Sequence, residues 1–77
     1  MQYNVEYTDT FGGESNYSWV RREKIEAPDN ATRATIMRRA KKAIGLSGLR
    51  GRVTDFGEMI EFRPYGYCTV LFITWSY

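Results

Sequence analysis

The chain contains no histidine and one cysteine, Cys68. The first absence removes the commonest general base and the usual zinc and copper ligand; the second excludes a disulfide framework within the chain and suits a reducing compartment. The longest apolar run, near Val70 to Ile73, is far short of the ~20 residues of a membrane span. The opening MQYNVEYTDT has neither a basic start nor an apolar segment, so no signal peptide is expected. Walker-type sequences, nucleophile elbows and dinucleotide fingerprints are missing as well. Cys68 sits among Tyr67, Val70 and Phe72 in what reads as mid-strand, where a thiol is inaccessible and inert. Of the nearby acids Asp55, Glu58 and Glu61, the last two lie three apart on a strand and face opposite sides. These absences predict a soluble, cytoplasmic, non-enzymatic protein without metal or cofactor.

What is present is a segregation of charge. From Arg33 to Arg52 there are seven Arg and Lys and no Asp or Glu, while the preceding segment has three basic residues and six acids, and the following one has one and three. A formal net charge of +2 thus conceals a strongly basic centre between acidic flanks. With 77 residues the chain is expected to form one domain, residues 1–77, around a small core. Four Phe, two Trp and six Tyr supply apolar volume.

Tyr3, Val5 and Tyr7 alternate with Gln2, Asn4, Glu6 and Thr8, the period of a strand with one packed face. Phe11-Gly12-Gly13-Glu14-Ser15-Asn16 reads as a turn, and a β-rich run from Tyr17 to about Ile25 completes a hairpin. In that run Arg21 and Glu23 share the parity of Trp19 and Ile25, which predicts either a bulge or a strand end projecting past the core. Pro28 ends the strand, and Asp29, Asn30 or Thr32 can cap the helix that follows. This helix runs to about Ile44. Ile36, Met37, Ala40, Ala43 and Ile44 form its apolar stripe, with Arg38, Lys41 and Lys42 opposite and Arg39 at the border. Gly45 is the expected left-handed stop. The string Gly45-Leu46-Ser47-Gly48 resembles the GXXG loop of KH domains, but a strand follows it and its middle pair is not basic, so a cap and tight return are expected instead.

Three further strands are predicted: Arg52 to Phe56, Glu58 to Arg63 and Tyr67 to Trp75, with turns at Gly57 and Pro64-Tyr65-Gly66. Cys68, Val70 and Phe72 point one way and Leu71, Ile73 and Trp75 the other, as in a central strand covered on both faces. The fold is therefore α+β of order ββαβββ, a single helix packed on one face of a five-stranded antiparallel sheet. One helix covers one face, so the other is expected to keep aromatic and aliphatic side chains open to a partner.

The candidate binding residues are Arg38, Arg39, Lys41 and Lys42 on the helix, Arg50 and Arg52 beyond it, Arg21 and Arg22 beside Trp19, and Tyr65 and Tyr67 flanking Gly66. Trp19 and Trp75 are assigned to the core, with Phe11, Tyr17 and Tyr77 as further surface aromatics. Arg and Lys attract phosphates and carboxylates, and Tyr and Trp bury much area with few rotors. The run from Asp9 through Phe11-Gly12-Gly13 to Val20, with Phe62-Arg63-Pro64-Tyr65-Gly66, resembles a type of short reading frame found in bacteriophages and other mobile elements. That resemblance implies a stoichiometric binder of a host protein, in the manner of anti-CRISPR and other anti-defence inhibitors, and carries no residue roles with it. A direct nucleic-acid-binding module and a homodimeric structural component are the alternatives.

Overall fold

The computed structural model describes residues 1–10 and 13–76. The turn expected at Phe11-Gly12 and the surface roles given to Phe11 and Tyr77 lie outside the described residues. The elements are β1 (Gln2–Asp9), β2 (Val20–Glu26), α1 (Arg33–Ile44), β3 (Gly51–Asp55), β4 (Met59–Pro64) and β5 (Thr69–Ser76). The strands form one antiparallel sheet in the order β2-β1-β5-β4-β3. β5 is central, as its apolar sequence demands.

The helix ends are chemically fixed. Thr32 is the N-cap, its Oγ1 accepting from the Thr35 amide at 3.2 Å. Gly45 takes the left-handed conformation at φ 89°, and the Leu46 amide reaches back to the Lys41 carbonyl at 2.7 Å, closing a Schellman turn that brings Leu46 against the core. Ile36, Met37, Ala40 and Ile44 are buried on Tyr3, Val5, Ile25, Ile60, Phe62, Leu71 and Ile73. Those sheet residues share one parity in register, because Tyr3 lies opposite Ile25 and Trp75, and Ile60 opposite Ile73. Burying each of these aliphatic or aromatic side chains contributes about 1.5–3 kcal/mol.

One open expectation is settled and two change. β1 and β2 pair one-to-one from Gln2↔Glu26 to Thr8↔Val20, so the strand has no bulge. Arg21 instead occupies a strand end running past the core, where its guanidinium donates to the Ile44 and Ala43 carbonyls at 3.0 and 3.3 Å. It thereby satisfies acceptors that the helix C-terminus leaves open. The face away from the helix is mainly polar rather than aromatic and aliphatic: parity places Asn4, Glu6, Thr8, Arg22, Lys24, Arg52, Thr54, Glu61, Arg63 and Thr74 there, with Val20, Met59, Val70 and Phe72 as the apolar exceptions. Aromatic side chains went to the helix side because nearly all share its parity. Cys68 precedes β5 and is exposed, so it is not the buried mid-strand thiol expected. The Cys68 carbonyl still accepts from the Thr10 amide at 2.8 Å, one step beyond the last β1–β5 pair.

The helix does not sit symmetrically. It lies nearest β2 at one edge of the sheet, leaving β3 at the far edge with no buried residue. No helix among the described residues is long and apolar enough to cross a membrane.

Candidate functional site

Arg38, Arg39 and Lys42 project from the outer side of α1 and are exposed. Their position follows from the burial of Ile36, Ala40 and Ile44, at 1%, 0% and 4% exposure, which fixes the roll of the helix. Arg39 donates to the Glu26 carbonyl at 3.0 Å, tying the helix to the end of β2. Arg38 donates to the Thr35 hydroxyl at 3.4 Å. Among the described residues, none of these three cations pairs with a carboxylate. The cations that do pair are the N-terminal ammonium with Asp29, Arg21 with Glu23, Arg22 with Glu6, Arg33 with Asp55 and Arg63 with Glu61.

Lys41 departs from the expected outward cluster. It lies four residues after Met37 and three before Ile44, so its stem runs along the apolar stripe. Its ammonium lies 4.6 Å from the Phe62 ring centroid and donates to the Leu49 carbonyl. It is a half-buried strut between helix and loop. The border residue is thus Lys41, while Arg39 is fully on the outer side.

The other candidates do not form one surface with the helix. Arg22 and Arg52 stand on the opposite face of the sheet, Arg22 held by Glu6 at 3.1 Å. Arg21 is engaged at the helix C-terminus. Arg50 is exposed in the loop before β3, and its carbonyl accepts from the Tyr65 amide at 3.0 Å. Tyr65 and Tyr67 are exposed in the β4–β5 turn at that same end of the sheet, 68% and 56%. Trp75 is half-buried: it meets Tyr3 edge-on at 5.7 Å and carries the Arg33 guanidinium over its ring at 4.5 Å. Trp19 packs edge-on against Tyr7 at 5.3 Å but remains 44% exposed.

On the open face, the β1–β2 loop folds back over the sheet. Asp9 organises it, accepting from the Asn16 side chain and the Ser18 amide, both at 3.1 Å. Slight desolvation pushes the Asp9 carboxyl up, but the hydrogen bonds from Asn16 and Ser18 outweigh it and leave the group below its ordinary value. Tyr17 has a positive φ of 55°, unique among the described non-glycine residues, a conformation costing about 1–2 kcal/mol. The Glu6 carboxylate beside its hydroxyl, aided by desolvation, raises its pKa. Arg63 fixes the same loop by donating to the Gly13 carbonyl at 3.1 Å. Tyr17, Phe72 and Met59 line a shallow concavity with Glu6, Arg22 and Lys24.

A second concavity, of about 480 Å³, lies between α1 and β3. Ala34, Met37, Val53 and Ile60 form its apolar part and Arg33, Arg38, Lys41 and Asp55 its charged part. Sequence reasoning passed over it because Val53 is the one apolar side chain of an otherwise polar strand. Val53 is 53% exposed, and nearby Phe56 is 57% exposed in the β3–β4 turn. No cluster of His, Cys, Asp and Glu able to hold a metal occurs among the described residues. Comparison with protein-family models, curated proteins and solved structures finds no match.

Proposed function

We propose that this chain is a non-enzymatic binding protein that engages an acidic surface of a protein partner stoichiometrically through the outer side of α1. The observation that carries this reading is the exposure of Arg38, Arg39 and Lys42 on one helix with no carboxylate partner among the described residues. Three solvent-facing cations against the single nearby carboxylate of Glu26 project a net positive field that steers an acidic partner into place. Together with the resemblance to short phage and mobile-element reading frames, this supports a modulator of host defence acting inside the host cell.

A phosphate backbone would be drawn to the same cations. Single-stranded nucleic acid also needs a stacking platform. The concavity shared by Arg38, Arg39 and Lys42 is lined by Ile25, Glu26, Thr35 and Ala43, with no aromatic on which a base could stack. That lining favours a protein partner.

The test is affinity capture from nuclease-treated host lysate with the native chain and with an Arg38→Glu, Arg39→Glu, Lys42→Glu variant. A defined protein retained by the first and lost by the second is the expected result. Recovery that disappears with nuclease, or capture that ignores the charge reversal, would overturn the proposal.

A further inference from the structure

We propose that the groove between α1 and β3 receives an extended, acidic segment of the partner protein, which adds to the sheet as an extra strand along β3. The inference deepens the function proposed above and rests on the partner being a protein.

Two hydrogen bonds set the phase of the β3–β4 ladder. The Phe56 amide donates to the Met59 carbonyl at 2.8 Å, and the Tyr65 amide donates to the Arg50 carbonyl at 3.0 Å. With Arg52 opposite Arg63 and Thr54 opposite Glu61, residues 50, 52, 54 and 56 turn their backbone groups toward β4. Gly51, Val53 and Asp55 therefore turn theirs outward, toward an edge with no neighbouring strand. Pro64 agrees with this phase, since it faces Gly51 at a position where no amide is required.

The outward backbone groups belong to residues whose side chains lie on the helix side of the sheet. A strand laid along Val53 would meet its unpaired amide and carbonyl and send alternate side chains into the groove over Val53, Met37 and Ile60. Exposed Val53 and Phe56 supply apolar anchor points along this edge.

Charge selects the occupant. Arg38 and Lys41 stand on the helix wall of the groove, and Arg50 is exposed in the loop leading into β3, with no carboxylate partner among the described residues. Asp55, the groove's one acid, is neutralised by Arg33 at 2.9 Å. A segment carrying Asp or Glu around apolar anchors complements this arrangement. A second copy of the chain would bring the same cations together, and nucleic acid cannot complete a β-ladder.

The test is selection of a displayed library of random short linear peptides on the immobilised full chain, followed by binding to Val53→Pro. Proline at 53 removes an outward amide and a groove side chain while leaving every β3–β4 hydrogen bond in place, so the variant is expected to keep the native circular-dichroism spectrum. The expected result is enrichment of acidic peptides with alternating apolar residues, and at least about a tenfold loss of their affinity in Val53→Pro, the equivalent of one lost contact of about 1.4 kcal/mol. N-methylation of the selected peptide's backbone gives the same loss without altering the protein.

No enrichment, enrichment of basic or uncharged peptides, or binding indifferent to Val53→Pro and to N-methylation overturns the inference. So does a dimer of the native chain by light scattering that Val53→Pro converts to monomer, because the occupant is then a second copy. If lysate capture depends on Arg38, Arg39 and Lys42 but not on Val53, the groove fails as the docking site and the basic-face function stands. If it depends on neither, both fail.

Discussion

The two edges of the sheet are built differently. β2 carries four consecutive charged residues, Arg21, Arg22, Glu23 and Lys24, contributes buried Ile25 to the core, and is tied to the helix at both ends. At one end Arg21 caps the helix carbonyls, and at the other Arg39 takes the Glu26 carbonyl. That carbonyl faces outward, because the Ala27 amide bonds to the Met1 carbonyl and sets the β1–β2 phase. β3 contributes no buried side chain, reaches the helix through the exposed Arg33–Asp55 ion pair, and leaves the groove beside Val53. An edge guarded by charge and helix resists chance pairing, whereas a bare one invites it. The lesson is that a single helix set off-centre on a five-stranded sheet protects one edge by leaving the other open.

The largest expected effect comes from the core beneath the open edge. Phe62→Ala removes the 1%-exposed ring that supports Lys41 and faces Val53. It is expected to cost about 3–5 kcal/mol in urea melts, a large share of a small domain's stability. A loss no greater than that of a surface substitution would show that the β3 side is not packed as described. Next is Gly51→Ala. A Cβ there would strike the Arg63 carbonyl oxygen and come within 2.7 Å of the Phe62 ring and the Pro64 Cα. The expected cost is about 1–3 kcal/mol, with faster amide exchange in β3 and little change in β2. Uniform loosening of both edges would erase the contrast.

The guarded edge responds more mildly. Arg21→Ala leaves the Ile44 and Ala43 carbonyls without their donor and should cost about 0.5–1.5 kcal/mol, seen as fraying of the last turn of α1. Unchanged exchange in that turn would deny Arg21 its capping role. The smallest effect concerns the loop joining β1 to β2. Because the Asp9 carboxyl is lowered in the folded chain, its contribution to loop order is present above the ordinary aspartate value and lost as pH falls through the lower folded value. In an NMR titration the Asn16 and Ser18 signals should follow that depressed midpoint. A midpoint at or above the ordinary value would contradict the hydrogen-bond assignment.

Side-chain parity and helix caps were legible in the sequence. Tyr3, Val5 and Tyr7 chose the helix face, Gly45 stopped the helix, and Ile36, Ala40 and Ile44 turned Arg38 and Lys42 outward. Parity says which face a residue takes, not where along the sheet the helix settles. That position depends on the strand order β2-β1-β5-β4-β3, a long-range property, so the groove beside Val53 left no local trace. Lys41 was misplaced because a residue at the edge of a helical stripe can bury its stem while keeping its charge satisfied. Arg52 follows the helix cations in sequence and Arg22 follows Trp19, yet the pleat puts both on the face away from the helix.

The open edge is tested most directly by amide hydrogen exchange at Val53 and Asp55, measured on the free chain and on the chain bound to a library-selected acidic peptide. The account predicts rapid exchange of both amides in the free chain, beside slower Arg52 and Thr54, and a slowing of about tenfold or more on binding. Val53 and Asp55 already protected in the free chain, or unmoved by the bound peptide, would contradict it.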